Sequence, residues 1–280
     1  MGEAHRVHIS AEHRLLDLRL GEVWQYRDLI RLFTRRSFVV AYKQTILGPL
    51  WLLLNPILTA VFYVVLFGNI AKLGTEGVPQ LLFYLCGTAV WHYFSSCLTG
   101  NASTFVDHAS LFGKVYFPRL VMPLSGVLSA AIRFCIQMLP AAVLLAVSIL
   151  RGSVQPRFAL WPLLPFLLLW LGLLGMGFGV LISGLTTKYR DLSVLVSFGM
   201  QLLMYATPVV YPLSAVPEGL SVIALLNPVT MPMELFRCIL FGTGTVCAWS
   251  LLLSLGVTLL VSFGGVVLFS RVERSFVDTV

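Results

Sequence analysis

Five stretches of this chain, 44–71, 77–106, 158–187, 192–217 and 238–270, each run for at least 26 residues without an Asp, Glu, Lys or Arg. A sixth, 120–150, carries only Arg133. Crossing about 30 Å of hydrocarbon takes roughly 20 mostly apolar residues, so every window is long enough to span a bilayer. Lipid offers the backbone no hydrogen bonds, so each window is expected to be helical. The short alternating strands of a membrane barrel are missing. The first apolar run begins near residue 46 behind a polar stretch, which does not fit a secretory leader and leaves the N-terminus on the chain.

Composition agrees with this reading. Hydrophobic residues make up 58% of the chain, charged residues 11%, and mean hydropathy is +0.90, whereas soluble domains carry about 25% charged residues. Disordered, collagen-like and disulfide-scaffold chains are excluded by the same numbers. The five cysteines, Cys86, Cys97, Cys135, Cys238 and Cys247, lie in apolar runs with no close pair and read as small buried hydrophobes.

The net charge of +7 raises the question of nucleic acid, and charge placement answers it. Arg6, Arg14, Arg19, Arg27, Arg31, Arg35, Arg36 and Lys43 precede the first window. Lys114, Arg119, Lys188 and Arg190 fall in later loops on that side, and Arg271 and Arg274 in the tail. Only Lys72, Arg151, Arg157 and Arg237 are assigned to the other side. Positive charge marks the cytoplasmic face, so both termini are expected there. The basic balance follows membrane orientation, which leaves no basic patch to assign to nucleic acid.

Two segments depart from plain spans. Over 22–43, Tyr26, Leu29, Ile30 and Phe33 recur at helical spacing while Arg27, Arg31 and Arg35 repeat every fourth residue, predicting an amphipathic helix along the cytoplasmic face. Such a helix either holds lipid headgroups or carries a contact to a partner. The second segment, 211–234, is broken by Pro212, Pro217, Pro228 and Pro232 and predicts short helices dipping in from the outer face.

Catalytic signatures are scarce. There is no phosphate-cradling Gly-x-x-x-x-Gly-Lys-Ser/Thr, no His-Glu-x-x-His and no Cys-x-x-Cys, and five of the twelve acidic residues fall in the first 28. His92 reads as an interior histidine. Arg133 either snorkels to the membrane edge or contacts an anionic substrate. Gly172, Gly175, Gly177 and Gly179 permit close helix packing, within one chain or between two.

The motifs then fall into a known order. Tyr42-Lys43-Gln44-Thr45-Ile46-Leu47-Gly48-Pro49-Leu50-Trp51, followed by Asn55-Pro56 and by Phe67-Gly68, resembles the first span of bacterial polysaccharide ABC export permeases. Lys114-Val115-Tyr116-Phe117-Pro118-Arg119, Lys188-Tyr189-Arg190-Asp191-Leu192, Thr207-Pro208-Val209-Val210-Tyr211, Leu226-Asn227-Pro228 and Glu273-Arg274-Ser275-Phe276-Val277-Asp278 continue the likeness in order. The chain is thereby identified as similar to the type-2 ABC transporter permease subunits that export O-antigen, teichoic acid or capsule.

The resemblance implies an all-α integral membrane protein of six transmembrane helices. It would have an N-terminal amphipathic interfacial helix and short re-entrant outer-face helices between spans five and six. The expected organisation is a tail over 1–21, the interfacial helix over 22–43, a permease domain over 44–270 and a tail over 271–280. It implies a homodimer in the bacterial inner membrane that exports an undecaprenyl-linked polysaccharide. No cofactor is expected in this chain, ATP and Mg being bound by a separate ATPase partner.

Coupling to that ATPase would run through Arg27, Arg31 and Arg35 and through Lys114, Tyr116, Phe117 and Arg119. Tyr116 and Phe117 fit a partner groove or an interfacial belt equally. The translocation path would be lined by Phe62, Tyr63, Trp91, Tyr93, Phe94, Phe198 and Tyr205, each of which reads alone as ordinary membrane core or belt. Tyr211, Asn227 and Pro228 would belong to the outer gate. At Arg133 the family often has an acid, so no role is carried to that position. The rival readings are an ABC exporter of drugs or lipids and a polyprenyl-phosphate glycan enzyme.

Overall fold

A computed structural model describes residues 20–43, 47–107, 117–118, 120–186 and 191–277. Lys114, Tyr116 and Arg119, and the motif residues Lys188, Tyr189 and Arg190, lie outside the described residues.

The described chain is helical. A short α1 (Leu20–Gln25) leads into α2 (Arg27–Tyr42), the amphipathic segment. The first span, Gly48–Ile70, opens on a turn of 3-10 helix at Gly48–Leu50, continues as α3 (Trp51–Tyr63) and ends as a π-helix over Val64–Ile70. Spans two and three are α4 (Gln80–Ala102) and α6 (Val121–Leu150), with the short α5 (Thr104–Asp107) after α4. The fourth span, Phe158–Thr186, ends in α7 (Leu164–Thr186). Next come α8 (Leu192–Ala206), α9 (Glu218–Leu226), α10 (Thr230–Phe241) and α11 (Ala248–Val277).

Among the described residues, five helices are long and apolar enough to cross a bilayer, and the α9–α10 pair, bent by 98°, makes a sixth only if counted as one broken span. The fifth window of the sequence holds α8, whose 15 residues reach about 22 Å at 1.5 Å per residue. The last window divides: Cys238–Phe241 ends α10, and the final span starts at Ala248.

Span two is the axis of the bundle. Of its apolar window 78% is buried, against 17% for span one and 22% for span three and for the final span, Ala248–Leu268. A helix that is apolar all round belongs in such a position, and α4 buries Phe83, Tyr84, Trp91, Tyr93 and Phe94 on different faces.

The glycines of span four pack within the chain. A Cβ at Gly179 would lie 2.4 Å from the Leu98 carbonyl oxygen, and one at Gly175 would lie 2.8 Å from Cys97 Cβ, both on α4. One at Gly172 would meet the Tyr93 hydroxyl at 2.5 Å, and one at Gly177 the Ser262 nitrogen of α11 at 2.8 Å. Span four therefore approaches span two and α11 at backbone distance, as small residues allow.

Of the cysteines, Cys86, Cys97 and Cys238 are buried as expected, but Cys135 is exposed on span three and Cys247 is half-buried. An apolar side chain on a membrane helix faces lipid as readily as protein, so the apolar run around Cys135 carried no information about burial.

Candidate functional site

Three parts of the molecule gather the residues singled out from the sequence. The first is α2. Tyr26, Leu29, Ile30 and Phe33 pack on a cluster formed by Phe117, Val121 and Met122, with the Phe33 and Phe117 rings 6.0 Å apart. Arg27, Arg31 and Arg35 point away and are exposed, and Arg31 reaches Asp28 at 3.2 Å on that open face. The expected amphipathic division is present. The apolar stripe, however, is spent on the start of span three rather than on lipid. Thr34 Oγ1 also donates to the Ser125 carbonyl at 3.4 Å, and eight residues on Tyr42 meets the surroundings of Arg133, so α2 runs beside the first turns of α6.

The second part is aromatic, and its members divide by exposure. Phe62, Phe198 and Tyr205 are open, at 60%, 56% and 50% of their surface. Tyr63 is half-buried among Phe62, Phe67 and Tyr84, with ring centroids 5.4–6.3 Å apart. Trp91, Tyr93 and Phe94 are buried inside the chain, where Tyr93 donates to the Leu168 carbonyl at 3.0 Å and packs on Phe134. These three pack span two against its neighbours, and Tyr93 also borders a pocket between spans one, two and three.

The third part is the segment between α8 and α11. Asn227 sits at the bend between α9 and α10, where its Nδ2 donates to Thr207 Oγ1 at 2.8 Å and its Oδ1 accepts from the Val229 N–H at 3.0 Å. The side chain thus replaces backbone partners that a sharp bend forfeits. The Pro228 carbonyl accepts from Ser254 on α11, which ties the bend to the last span. Tyr211 donates to the Tyr205 carbonyl at 2.9 Å, closing the turn after α8.

At the centre of this segment lies a feature missed in the sequence. Glu234 and Arg237 on α10 form an ion pair at 2.8 Å with side chains 0% and 1% exposed. Arg237 also donates to the carbonyls of Val209 at 2.9 Å and Tyr211 at 3.2 Å, and its guanidinium stacks 4.1 Å from the centre of the Phe83 ring. Glu234 accepts from the Thr245 N–H at 3.0 Å. Counting Arg237 as a loop charge concealed this. The signal was there: opposite charges three apart on a helix meet on one face, and here they do so within an otherwise apolar stretch.

The pair fastens four pieces of chain. Through Glu234 it ties α10 to the turn after it, through Arg237 to the turn after α8, and through Phe83 to span two. The turn after α10 begins at Gly242, whose φ of 76° and close approach to the Gln155 carbonyl, 2.3 Å from where a Cβ would lie, demand glycine.

Several apolar spans, an amphipathic helix packed on one of them and a folded segment between α8 and α11 define a polytopic membrane protein. The family model described as "ABC-2 type transporter" matches residues 28–241, and the chain belongs to that family. An "O-antigen export system permease protein RfbA" of Klebsiella pneumoniae is 30% identical over 201 residues, covering 72% of this chain and 75% of the relative. The protein of the same name from Myxococcus xanthus is 30% identical over 225 residues, covering 79% and 83%. The resemblance drawn from the ordered motifs is thereby borne out.

Proposed function

We propose that this chain is the membrane subunit of an exporter that carries a lipid-linked, O-antigen-like polysaccharide from cytoplasm to periplasm. It works as a pair of identical chains in the bacterial inner membrane with both termini cytoplasmic. A separate ATP-binding chain, holding ATP and Mg, supplies the energy. The similarity to O-antigen export permeases over most of both chains carries this reading.

In this account α2 is the receiving element. Its exposed Arg27, Arg31 and Arg35 meet the ATPase, together with the segment containing Lys114, Tyr116, Phe117 and Arg119. The cluster around Phe33 and Phe117 passes a push on that face into the start of span three. Phe62, Phe198 and Tyr205 offer ring faces to sugar, and Tyr63 backs them. Tyr211, Asn227 and Pro228 form the hinge region of an outer gate stiffened by the Glu234–Arg237 pair. Displacing a packed helix pair about such a fixed point is an ordinary mode of switching.

The test is export in cells lacking the chromosomal copy. Wild type restores surface polysaccharide, while Phe117→Ala inserts in the membrane normally and leaves lipid-linked glycan inside. Surface polysaccharide that never depended on this chain would end the reading, and accumulation of a drug or another lipid in its place would reassign the cargo.

A further inference from the structure

A pocket of about 270 Å³ opens where α2, span one, span two and span three converge. Its polar lining is Arg133 with Asn55, His92, Ser96 and Gln137. No acidic side chain lines it among the described residues, and Arg133 forms no ion pair there.

The depth of the pocket follows from helix length. α6 has 30 residues, about 45 Å at 1.5 Å per residue, against about 30 Å of hydrocarbon. With Leu150 at one edge of the hydrocarbon, the Val121 end projects beyond the other edge. Seventeen residues separate Arg133 from Leu150 at the other end, about 26 Å, which sets Arg133 at the inner edge of the hydrocarbon. Tyr42, at the end of α2, and Trp51, at the start of α3, line the same pocket, and both are of the type that settles at this level. Burial pushes the Tyr42 hydroxyl up, and the Arg133 cation opposes that rise, so the charge is felt across the pocket.

A guanidinium held at the edge of the hydrocarbon without a counter-charge gains from an anionic partner. It pairs best with a phosphate, which it grips through two parallel N–H groups. Neutral donors and acceptors around it, Asn55, Ser96 and Gln137, suit the remaining phosphate oxygens and esters. Lipid is the source of phosphate at this level of the membrane.

We infer that this pocket is a binding site for the phosphate group of an anionic lipid, seated on Arg133. The source is either a bilayer phospholipid or the phosphate end of a polyprenyl-linked molecule. The site does not depend on the export reading, since a bilayer lipid would occupy it whatever the cargo.

The test uses the full chain in neutral detergent, titrated with phosphatidylglycerol, farnesyl diphosphate or phosphatidylcholine while Trp51 fluorescence is followed. Trp51→Phe identifies the share of the signal that comes from the pocket. Phosphatidylglycerol or farnesyl diphosphate should bind saturably and phosphatidylcholine should not compete. Arg133→Gln should weaken binding by roughly tenfold, as for loss of a charged hydrogen bond, and Arg133→Lys by less. Farnesyl diphosphate displacing phosphatidylglycerol assigns the site to polyprenyl phosphates; phosphatidylglycerol that it cannot displace assigns it to bilayer lipid and leaves the cargo question untouched. If Arg133→Gln fails to fold, Asn55→Leu should still lower affinity by several-fold. Equal binding of phosphatidylcholine, no binding of either anion, or unchanged affinity in folded Arg133→Gln or Asn55→Leu protein would overturn the site.

Discussion

Arg237 Nη1 donates to Glu234 Oε1 at 2.8 Å on α10, where neither side chain reaches the surface. The pair is more than a local contact, because the same guanidinium holds the carbonyls of Val209 and Tyr211. Taking two charges out of water is offset only when geometry and extra hydrogen bonds are good, and removing one partner strands the other.

Arg237→Met should therefore destabilise the protein by about 3–5 kcal/mol, the range for breaking a buried pair. Replacing both partners, Glu234→Leu with Arg237→Met, should recover part of that loss. Thermal unfolding in detergent measures both. A double variant no better than the single one would show that the carbonyls of Val209 and Tyr211, not Glu234, dominate the role of Arg237.

The glycine contacts of span four give a second, contrasting pair. Gly179→Ala places a methyl 2.4 Å from the Leu98 carbonyl oxygen and should cost about 1–3 kcal/mol as overpacking. Gly199→Ala on α8 meets nothing within 4 Å and should be neutral or slightly stabilising, since alanine favours helix by up to about 1 kcal/mol. Equal unfolding temperatures for the two variants would contradict the close packing of spans two and four.

Phe117→Ala removes the ring against which Phe33 rests. Its removal should cost about 3–5 kcal/mol of local packing, and amide exchange over 27–42 should quicken while α9 and α10 keep their protection. Uniform quickening across the chain would mean that Phe117 supports the whole bundle and not α2 alone.

The amphipathic face of α2 and the positions of the long spans were legible because periodicity and length are local properties of the sequence. The stripe Tyr26, Leu29, Ile30 and Phe33 faces one way in the fold as its spacing demands. What that stripe would face was not legible, since lipid and the start of span three are equally apolar partners. For the same reason nothing separated the exposed Phe62 and Phe198 from the buried Trp91 and Phe94. The Glu234–Arg237 pair was hidden by treating charges as markers of aqueous loops, a rule that fails where opposite charges satisfy each other.

At the bend between α9 and α10, Asn227→Ala leaves Thr207 Oγ1 and the Val229 N–H without the partners they have now. The expected loss is about 1–3 kcal/mol, the cost of stranding buried polar groups. Asn227→Asp keeps the acceptor for the Val229 N–H but loses the donor to Thr207, so it should fall between wild type and alanine. An aspartate variant as weak as alanine would place the whole effect on the Thr207 contact.

The division of labour between this chain and a separate ATP-binding chain is the centre of the functional account. Gentle solubilisation of the native membrane, affinity purification of this chain and mass identification of its companions tests it most directly. The account predicts an ATP-binding subunit in equal amount, released when Phe117 is changed to Ala, with ATP hydrolysis found only in the complex. A chain that purifies alone and turns over a lipid-linked sugar by itself would contradict it.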